Sequence, residues 1–468
     1  MSSRARIALS GVSWTTIGVG AFAVLQIPVL AILARLISPA EFGIANAALI
    51  VFAFGANIFE GGVMLNIAQR KTVSDRDAAI AFQISALLSL VLFVVVLLSA
   101  NQFEAFFKTP DLSLAIQVIS LGFLLRGFTG VSEALLFHQR RFRAAALVQL
   151  LPFAIGYVPF ALGLGSAGYG YWAIVIGHLA MCTVQCVLLV YLARHPVFVK
   201  ASRREFVEHL SHTIEFSIGR LASYFTVQGD KIIVGRVLGM EALGLYGRAF
   251  QIMMIPSKTF TKVVTSVTTP LYASIQDDLE RVAKAFRKSV RLANLMMVPV
   301  TLAVILFREE LVLLLLGDDW VEIADVLGLL AAASYFIVLY RVPLGILHSQ
   351  RMSRNAAISQ SIYAALTVLA VSLVVDYGLS AVAIAVSALA GSNYVMLSIQ
   401  ALRRLGASGW AHLQAHVSGL LAGVGFLIGS ILLRHYWDDS YPDLILLFLA
   451  GIVLAASIAP GLYRTVKQ

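Results

Sequence analysis

Ala34-Arg35-Leu36-Ile37, running on through Phe42-Gly43-Ile44, returns 201 positions later as Gly235-Arg236-Val237-Leu238, running on through Leu243-Gly244-Leu245. A second pair follows in the same order. Gln139-Arg140, Arg143, Ala145-Ala146 and Gln149 recur as Gln350-Arg351, Arg354, Ala356-Ala357 and Gln360, at an offset of 211. The drift between offsets is what loop insertions produce. Two ordered matches at equivalent positions make the chain two related halves and a tail. This reading divides it into residues 1–205, 206–405 and 406–468.

Around these copies the chain is too apolar to be water-soluble. Hydrophobic residues make up 59% of its 468 positions and charged ones 13%, about half the usual soluble share. Fourteen apolar stretches are long enough to cross a hydrocarbon core of about 30 Å. They run over 12–34, 43–66, 78–100, 113–137, 144–164, 168–193, 213–235, 244–269, 291–307, 322–347, 356–375, 379–401, 411–433 and 442–463. The polar-rich stretches 213–235 and 244–269 are the least regular. The expected fold is therefore all-α, with about fourteen transmembrane helices: two pseudo-symmetric six-helix bundles and an extra C-terminal helix pair.

Charge tests that layout independently. With the N-terminus cytoplasmic, alternate loops carry 23 of the 35 Lys and Arg residues, including Arg140, Arg141 and Arg143, and Arg403 and Arg404. The opposite loops carry most of the acids, such as Asp318, Asp319, Glu322, Asp438 and Asp439. This alternation follows the positive-inside rule and places both termini in the cytoplasm. The net charge of +10 is then topological and faces anionic inner-leaflet lipid rather than nucleic acid. Both halves start on the same side, so the repeat is parallel, with its pseudo-two-fold axis along the membrane normal. The first helix matches the seventh and is read as retained, not as a cleaved signal.

The informative residues are the charges at membrane depth. Eleven ionisable residues fall within the stretches: Glu60, Arg126, Glu133, Glu215, Arg220, Asp230, Lys231, Arg248, Lys258, Lys262 and Arg341. Each central charge costs roughly 2.5–3.5 kcal/mol in lipid, so most must face protein or water. At about 100° per residue, Arg248, Gln251, Ile255, Lys258 and Lys262 share a narrow arc of the eighth helix. Arg220, Tyr224, Gln228 and Lys231 form a stripe on the seventh, and Asn46, Asn57 and Glu60 one on the second. Turned toward a shared hydrated cavity, seven bases against four acids select an anionic substrate. For Arg220, Lys262 and Glu215 the alternative is snorkelling to the interface. Arg126 and Glu133 read equally well as structural partners. Asp230 either pairs with a base from another helix or carries a coupling proton. Pro28, Pro256 and Pro299 are candidate kinks.

Other chemistry is thin. Cys182 and Cys186, one turn apart in an apolar run, read as packing residues. His412 and His416 have metal-like spacing without acid or thiol neighbours to complete a site. No GxxxxGK[ST] loop for ATP is present, and no GxSxG elbow.

The run Ala34-Arg35-Leu36-Ile37-Ser38-Pro39-Ala40-Glu41-Phe42-Gly43 resembles the first-loop signature of the Wzx-type polysaccharide-exporting flippases. These belong to the multidrug/oligosaccharidyl-lipid/polysaccharide (MOP) exporter superfamily. Asp230-Lys231-Ile232-Ile233-Val234-Gly235-Arg236-Val237-Leu238-Gly239, followed by Leu243-Gly244-Leu245-Tyr246, is similar to its second-half counterpart. Leu313 to Gly317 with Trp320 resembles the short outer segment before the tenth helix. The resemblance implies a V-shaped pair of bundles in the bacterial inner membrane that alternates between inward-open and outward-open states. It also implies a cavity lined by the first, second, seventh and eighth helices.

The implied activity is movement of undecaprenyl-diphosphate-linked oligosaccharide from the inner to the outer leaflet for exopolysaccharide, O-antigen or capsule assembly. On this reading Arg220, Lys231, Arg248, Lys258 and Lys262 face the diphosphate. Asn46, Asn57, Glu60, Tyr224, Gln228, Asp230 and Gln251 serve sugar binding or coupling. No catalytic residue, metal or cofactor is expected; H⁺ or Na⁺ is the candidate coupling ion, with Glu60 and Asp230 as carriers. Expected partners are the lipid-linked substrate, membrane lipids, a polysaccharide polymerase and a chain-length regulator, with no nucleic acid. A drug/cation antiporter and a lipid II flippase of the same superfamily are the rival readings, and a membrane polymerase or acyltransferase a remoter one.

Overall fold

Why these residues form long helices is visible in a computed structural model, which describes residues 21, 22, 24–69, 73–139, 141–193, 196–435 and 451. In hydrocarbon, backbone N–H and C=O groups have no water to bond, so the chain must pair them within itself. The described residues contain helices and no strand. In order they are α1 (Val24–Leu36), α2 (Pro39–Gln69), α3 (Asp75–Phe107), α4 (Leu112–His138), α5 (Phe142–Leu151), α6 (Val158–Ser166), α7 (Tyr171–Leu192) and α8 (Arg203–Val237). They continue with α9 (Gly239–Ser274), α10 (Leu279–Leu306), α11 (Arg308–Leu315), α12 (Ala324–Ser349), α13 (Ser353–Val374), α14 (Leu379–Leu405) and α15 (Gly409–His435).

Ten helices among the described residues are long and apolar enough to cross a membrane. α8 and α9 are not among them, because charges interrupt their apolar windows. At 35 and 36 residues they run about 50 Å, well beyond a hydrocarbon core of about 30 Å. Stretch 12–34 is described only from residue 21, and of stretch 442–463 only residue 451 is described.

The helix persists through Pro28, Pro256 and Pro299. The irregular element falls elsewhere, as a π-helical segment Pro152–Tyr157 between α5 and α6. Pro152 brings no N–H to the ladder, and the wider turn accommodates the missing bond.

By contacts the chain forms two compact units, Met1–Gly244 and Leu245–Gln468. In the first, α4 packs against α2, α3 and α7, and α8 packs against α2 and α3. The motif quoted at the outset has a local cause here. Ser38 caps α2: its hydroxyl and backbone N–H both donate to the Glu41 carboxylate, at 2.9 and 3.2 Å. The Glu41 N–H returns to the Ser38 hydroxyl at 3.4 Å, with Pro39 at the first helical position. One turn on, Gly43 lies against the Met240 carbonyl, and Gly244 against the Pro39 carbonyl. These are equivalent residues of the two repeat copies in reciprocal contact, and a Cβ on either would overlap a backbone oxygen.

At the start of α3, the linker into α8 is clasped. Arg76 grips Glu205 with two 3.0 Å bonds and donates to the Lys200 carbonyl at 3.1 Å. Gln83 holds the Val199 carbonyl at 3.1 Å. Ser74 with Asp77, and Ser202 with Glu205, close capping boxes on α3 and α8. The Arg76 bonds first, then those from Ser202, hold the Glu205 carboxylate at about 2, far below the usual carboxylate range.

In the second unit, α12 packs against α10 and α14, α13 against α14, and α15 against α10. Tyr272, Phe286, Leu339, Ile346 and Leu397 share its core. α15 reaches α10 through Gly419, whose missing Cβ would sit 2.7 Å from the Asn294 backbone. Small residues allow this approach where lipid provides no hydrophobic drive between helices. Phe426 and Phe307 are buried together farther along.

Two predictions follow from these contacts. Gly419→Leu should lower thermal stability of the purified protein by about 1–3 kcal/mol and expose α15 in hydrogen exchange. A depressed folded-state pKa makes the Arg76–Glu205 clasp fully effective above the unfolded carboxylate value of about 4.3. The clasp should weaken as pH falls from there toward 2. Limited proteolysis within 196–202 should therefore be slow at pH 7, rise through that acid window, and already be fast at pH 7 in Arg76→Gln.

Candidate functional site

The polar stripes occupy α2 and α8 in the first unit and α9 in the second. On α8, Tyr224 is 4% exposed. Its hydroxyl donates to the Ile50 carbonyl of α2 at 2.8 Å, and its ring meets Phe54 edge-on. Tyr224 thus fastens α8 to α2, with its donor already engaged. Gln228, one turn on, is half-buried, and its side-chain oxygen accepts no hydrogen bond among the described residues.

Asp230 and Lys231 are buried, at 3% and 6% exposure. The Asp230 carboxylate accepts the Lys231 backbone N–H at 2.9 Å, and the Lys231 ammonium lies 3.8 Å from the same oxygen. That ammonium also donates to the Val227 carbonyl at 2.5 Å. The sequence reading set Lys231 toward a diphosphate and left Asp230 between pairing and proton carriage. The structure brings them together as neighbours that neutralise one another, the arrangement expected where an isolated charge would be costly to bury.

α9 is arranged differently. Its packed face carries Tyr246, Ala249 and Met253, with Ser257 bonded to Ser334 of α12 at 2.5 Å. Roughly opposite, at about 100° per residue, lie Arg248, Gln251, Ile255 and Lys258. Arg248 donates to Gln251 at 2.6 Å, so the stripe is physically continuous over its first turn. Two turns beyond Gln251, Lys258 is exposed. Because α9 fixes its other face through Ser257 and Met253, rotation cannot bury this one without breaking those contacts.

Asn46 is half-buried on α2. The side chains of Asn57, Glu60, Glu215, Arg220 and Lys262 lie outside the described residues. Arg126 and Glu133 are half-buried on α4, and Arg341 is exposed on α12 with its guanidinium 5.2 Å from the Tyr340 ring centre.

The histidine pair has an identifiable duty. The Nε2 atoms of His412 and His416 lie 3.1 and 2.9 Å from the Tyr394 hydroxyl of α14. His416 Nδ1 is 3.1 Å from the His412 carbonyl, which only accepts, so it carries the proton. His416 Nε2 therefore accepts from Tyr394, whose oxygen accepts from His412 Nε2. Both imidazoles anchor α15 to α14, and no three-residue metal-binding group occurs among the described residues. Sequence periodicity did not point to Tyr394, nor to Tyr335, which donates to Asn294 of α10 at 2.5 Å. Isolated tyrosines in apolar runs carry no spacing signal. Cys182 is buried and Cys186 partly so, both as free thiols.

Comparison with known proteins places this arrangement. The polysaccharide biosynthesis protein family model matches residues 32–325. The lipopolysaccharide biosynthesis protein WzxC of Escherichia coli K12 is 24% identical over 326 residues, covering 69% of this chain and 66% of that protein. Among solved structures, the lipid II flippase MurJ in an inward closed conformation superposes with a TM-score of 0.79 at 15% identity, over 97% of this chain and 99% of that one. An inward-facing MATE family multidrug resistance transporter of the MOP superfamily gives 0.66 at 14% identity, over 86% and 98%. With a matched family model over more than half its length, ten apolar spanning helices and this fold, the chain belongs to the polysaccharide biosynthesis protein family, as a multi-pass protein of the bacterial inner membrane built on the MOP transporter fold.

Proposed function

We propose that this protein is a flippase for undecaprenyl-diphosphate-linked oligosaccharide, moving repeat units from the inner to the outer leaflet for exopolysaccharide, O-antigen or capsule synthesis. The observation that carries the reading is the α9 face on which Arg248, Gln251 and the exposed Lys258 are held opposite the Ser257–Ser334 contact. Membership of a polysaccharide biosynthesis family supports a role in such a pathway. The proposed architecture is that of the repeat: about fourteen helices, both termini cytoplasmic, six-helix bundles over 1–205 and 206–405, and a tail pair over 406–468.

A diphosphate cannot cross hydrocarbon unaided. A hydrated basic face replaces its water with charge-assisted hydrogen bonds, while the prenyl tail stays in the bilayer. Arg248 and Lys258 are the leading bases, with Arg220 and Lys262 at the same sequence-derived stripes. Lys231 is a weaker candidate because Asp230 neutralises it locally. With the cell interior negative, each anionic charge moved outward gains roughly 2.3 kcal/mol per 100 mV. Counter-movement of H⁺ or Na⁺ through Glu60, with Asp230 the weaker carrier because Lys231 neutralises it locally, adds to this drive. A polymerase and chain-length regulator then receive the product at the outer leaflet.

The rival antiporter reading requires a site that attracts cationic drugs, and the Arg248–Lys258 face opposes that by sign. The structural likeness to a lipid II flippase, at 15% identity, carries fold and not cargo.

Lys258→Ala should reduce polysaccharide export at least about tenfold, with membrane insertion and expression unchanged, and Lys258→Arg should restore most of it. Undiminished export by well-inserted Lys258→Ala would remove the site. Deleting the gene should abolish surface polysaccharide and leave cell-wall growth intact; growth arrest with intact polysaccharide would instead favour lipid II as cargo.

A further inference from the structure

Away from the α9 face, the second unit holds a cavity of about 710 Å³ between the start of α12 and α14. Leu329, Ala332 and Phe336 of α12 and Ile384 and Ala388 of α14 form its apolar walls. Ile384 is 55% exposed, so the cavity opens at the protein surface, on helices long and apolar enough to span a membrane, rather than into a protein interior. Its mouth is ionic. Arg308 Nε donates to Asp325 at 3.1 Å, and another guanidinium nitrogen lies 3.8 Å from Glu309. The Asp325 and Glu309 side chains are 75% and 64% exposed.

Two features identify the occupant. From Asp325 to Phe336 the groove is about 16 Å long at 1.5 Å per residue, roughly half of a 30 Å hydrocarbon core, which is the depth of one leaflet. A second groove of about 550 Å³ lies farther along α14, past Val395, Met396 and Ile399 to Arg403, with no carboxylate in its lining. The mouth also carries both signs within one side chain's reach. A purely anionic headgroup meets two carboxylates beside its single arginine, whereas a zwitterionic one satisfies all three.

We infer that the α12/α14 groove binds one bilayer phospholipid with a phosphoethanolamine headgroup. The acyl chain lies between Ala332 and Ala388, the phosphate on Arg308, and the ammonium on Asp325 and Glu309. With the charge-derived topology this is an outer-leaflet lipid. The site is separate from the proposed cargo face, and its test does not involve transport.

Full-length protein, stripped of lipid in detergent, should be titrated with phosphatidylethanolamine or phosphatidylglycerol of identical chains and examined by native mass spectrometry. One phosphatidylethanolamine per chain should be retained, at least about tenfold more tightly than phosphatidylglycerol. Arg308→Ala should erase the headgroup preference. Ala388→Leu, on a lipid-exposed position that cannot disturb the core, should block retention of both lipids at this site. Arg403→Ala should change neither. Equal retention of the two lipids by the unaltered protein, or full retention by Ala388→Leu, would overturn the assignment even if Arg308→Ala failed to fold.

Discussion

An unpaired polar group in hydrocarbon costs several kcal/mol, and the described helices meet that constraint in two different ways. Several polar side chains of the described helices are closed on a neighbour: Tyr224 on the Ile50 carbonyl, Lys231 on Asp230 and Val227, Ser257 on Ser334, Tyr335 on Asn294, and Tyr394 between two histidines. Each bond joins or stiffens helices, so satisfaction of polarity and packing are the same event. The Arg248–Gln251–Lys258 face is handled differently, with its far end left exposed. On the proposed function, this exposed charge on a helix locked by its other face is the place that meets water or an anion.

Close backbone approach is the second half of the same logic. With lipid as apolar as leucine, helices gain from contact only when they come near enough for dispersion to count. Gly43 and Gly244 achieve this at the helix starts of the first unit, and Gly419 does so between α15 and α10. The repeated motif therefore has a structural reason independent of cargo. Ser38, Pro39 and Glu41 start the helix, and the glycine one turn later makes room for its counterpart.

The helices were legible from the sequence because hydropathy and loop charge both follow from the bilayer. Stretches such as 78–100, 168–193 and 379–401 fall on α3, α7 and α14. The π-helical segment at Pro152 was not legible, since three other prolines in comparable runs leave their helices unbroken. The α9 stripe was readable because Arg248, Gln251 and Lys258 recur at helical spacing. The pairing of Lys231 was not, because periodicity reports which face a residue occupies and not where a flexible ammonium turns. Likewise the i, i+4 histidines showed a metal-like spacing with nothing to complete a site, and only three-dimensional placement brought Tyr394 between them.

These distinctions bear on what distant relatives can be expected to share. A fold retained at 15% identity requires only spanning length, small residues at crossings and internally satisfied polar groups, and many sequences meet those terms. On the proposed function, cargo depends on a few charges of one face, whose sign would reverse preference with very little change to packing. Lys258 illustrates the separation: its backbone is held by Ser257 and Met253, while its side chain takes no part in that contact. On the proposed function, substitution there changes the field a substrate meets and leaves the Ser257–Ser334 contact in place, which is how one scaffold could serve cargoes of opposite charge.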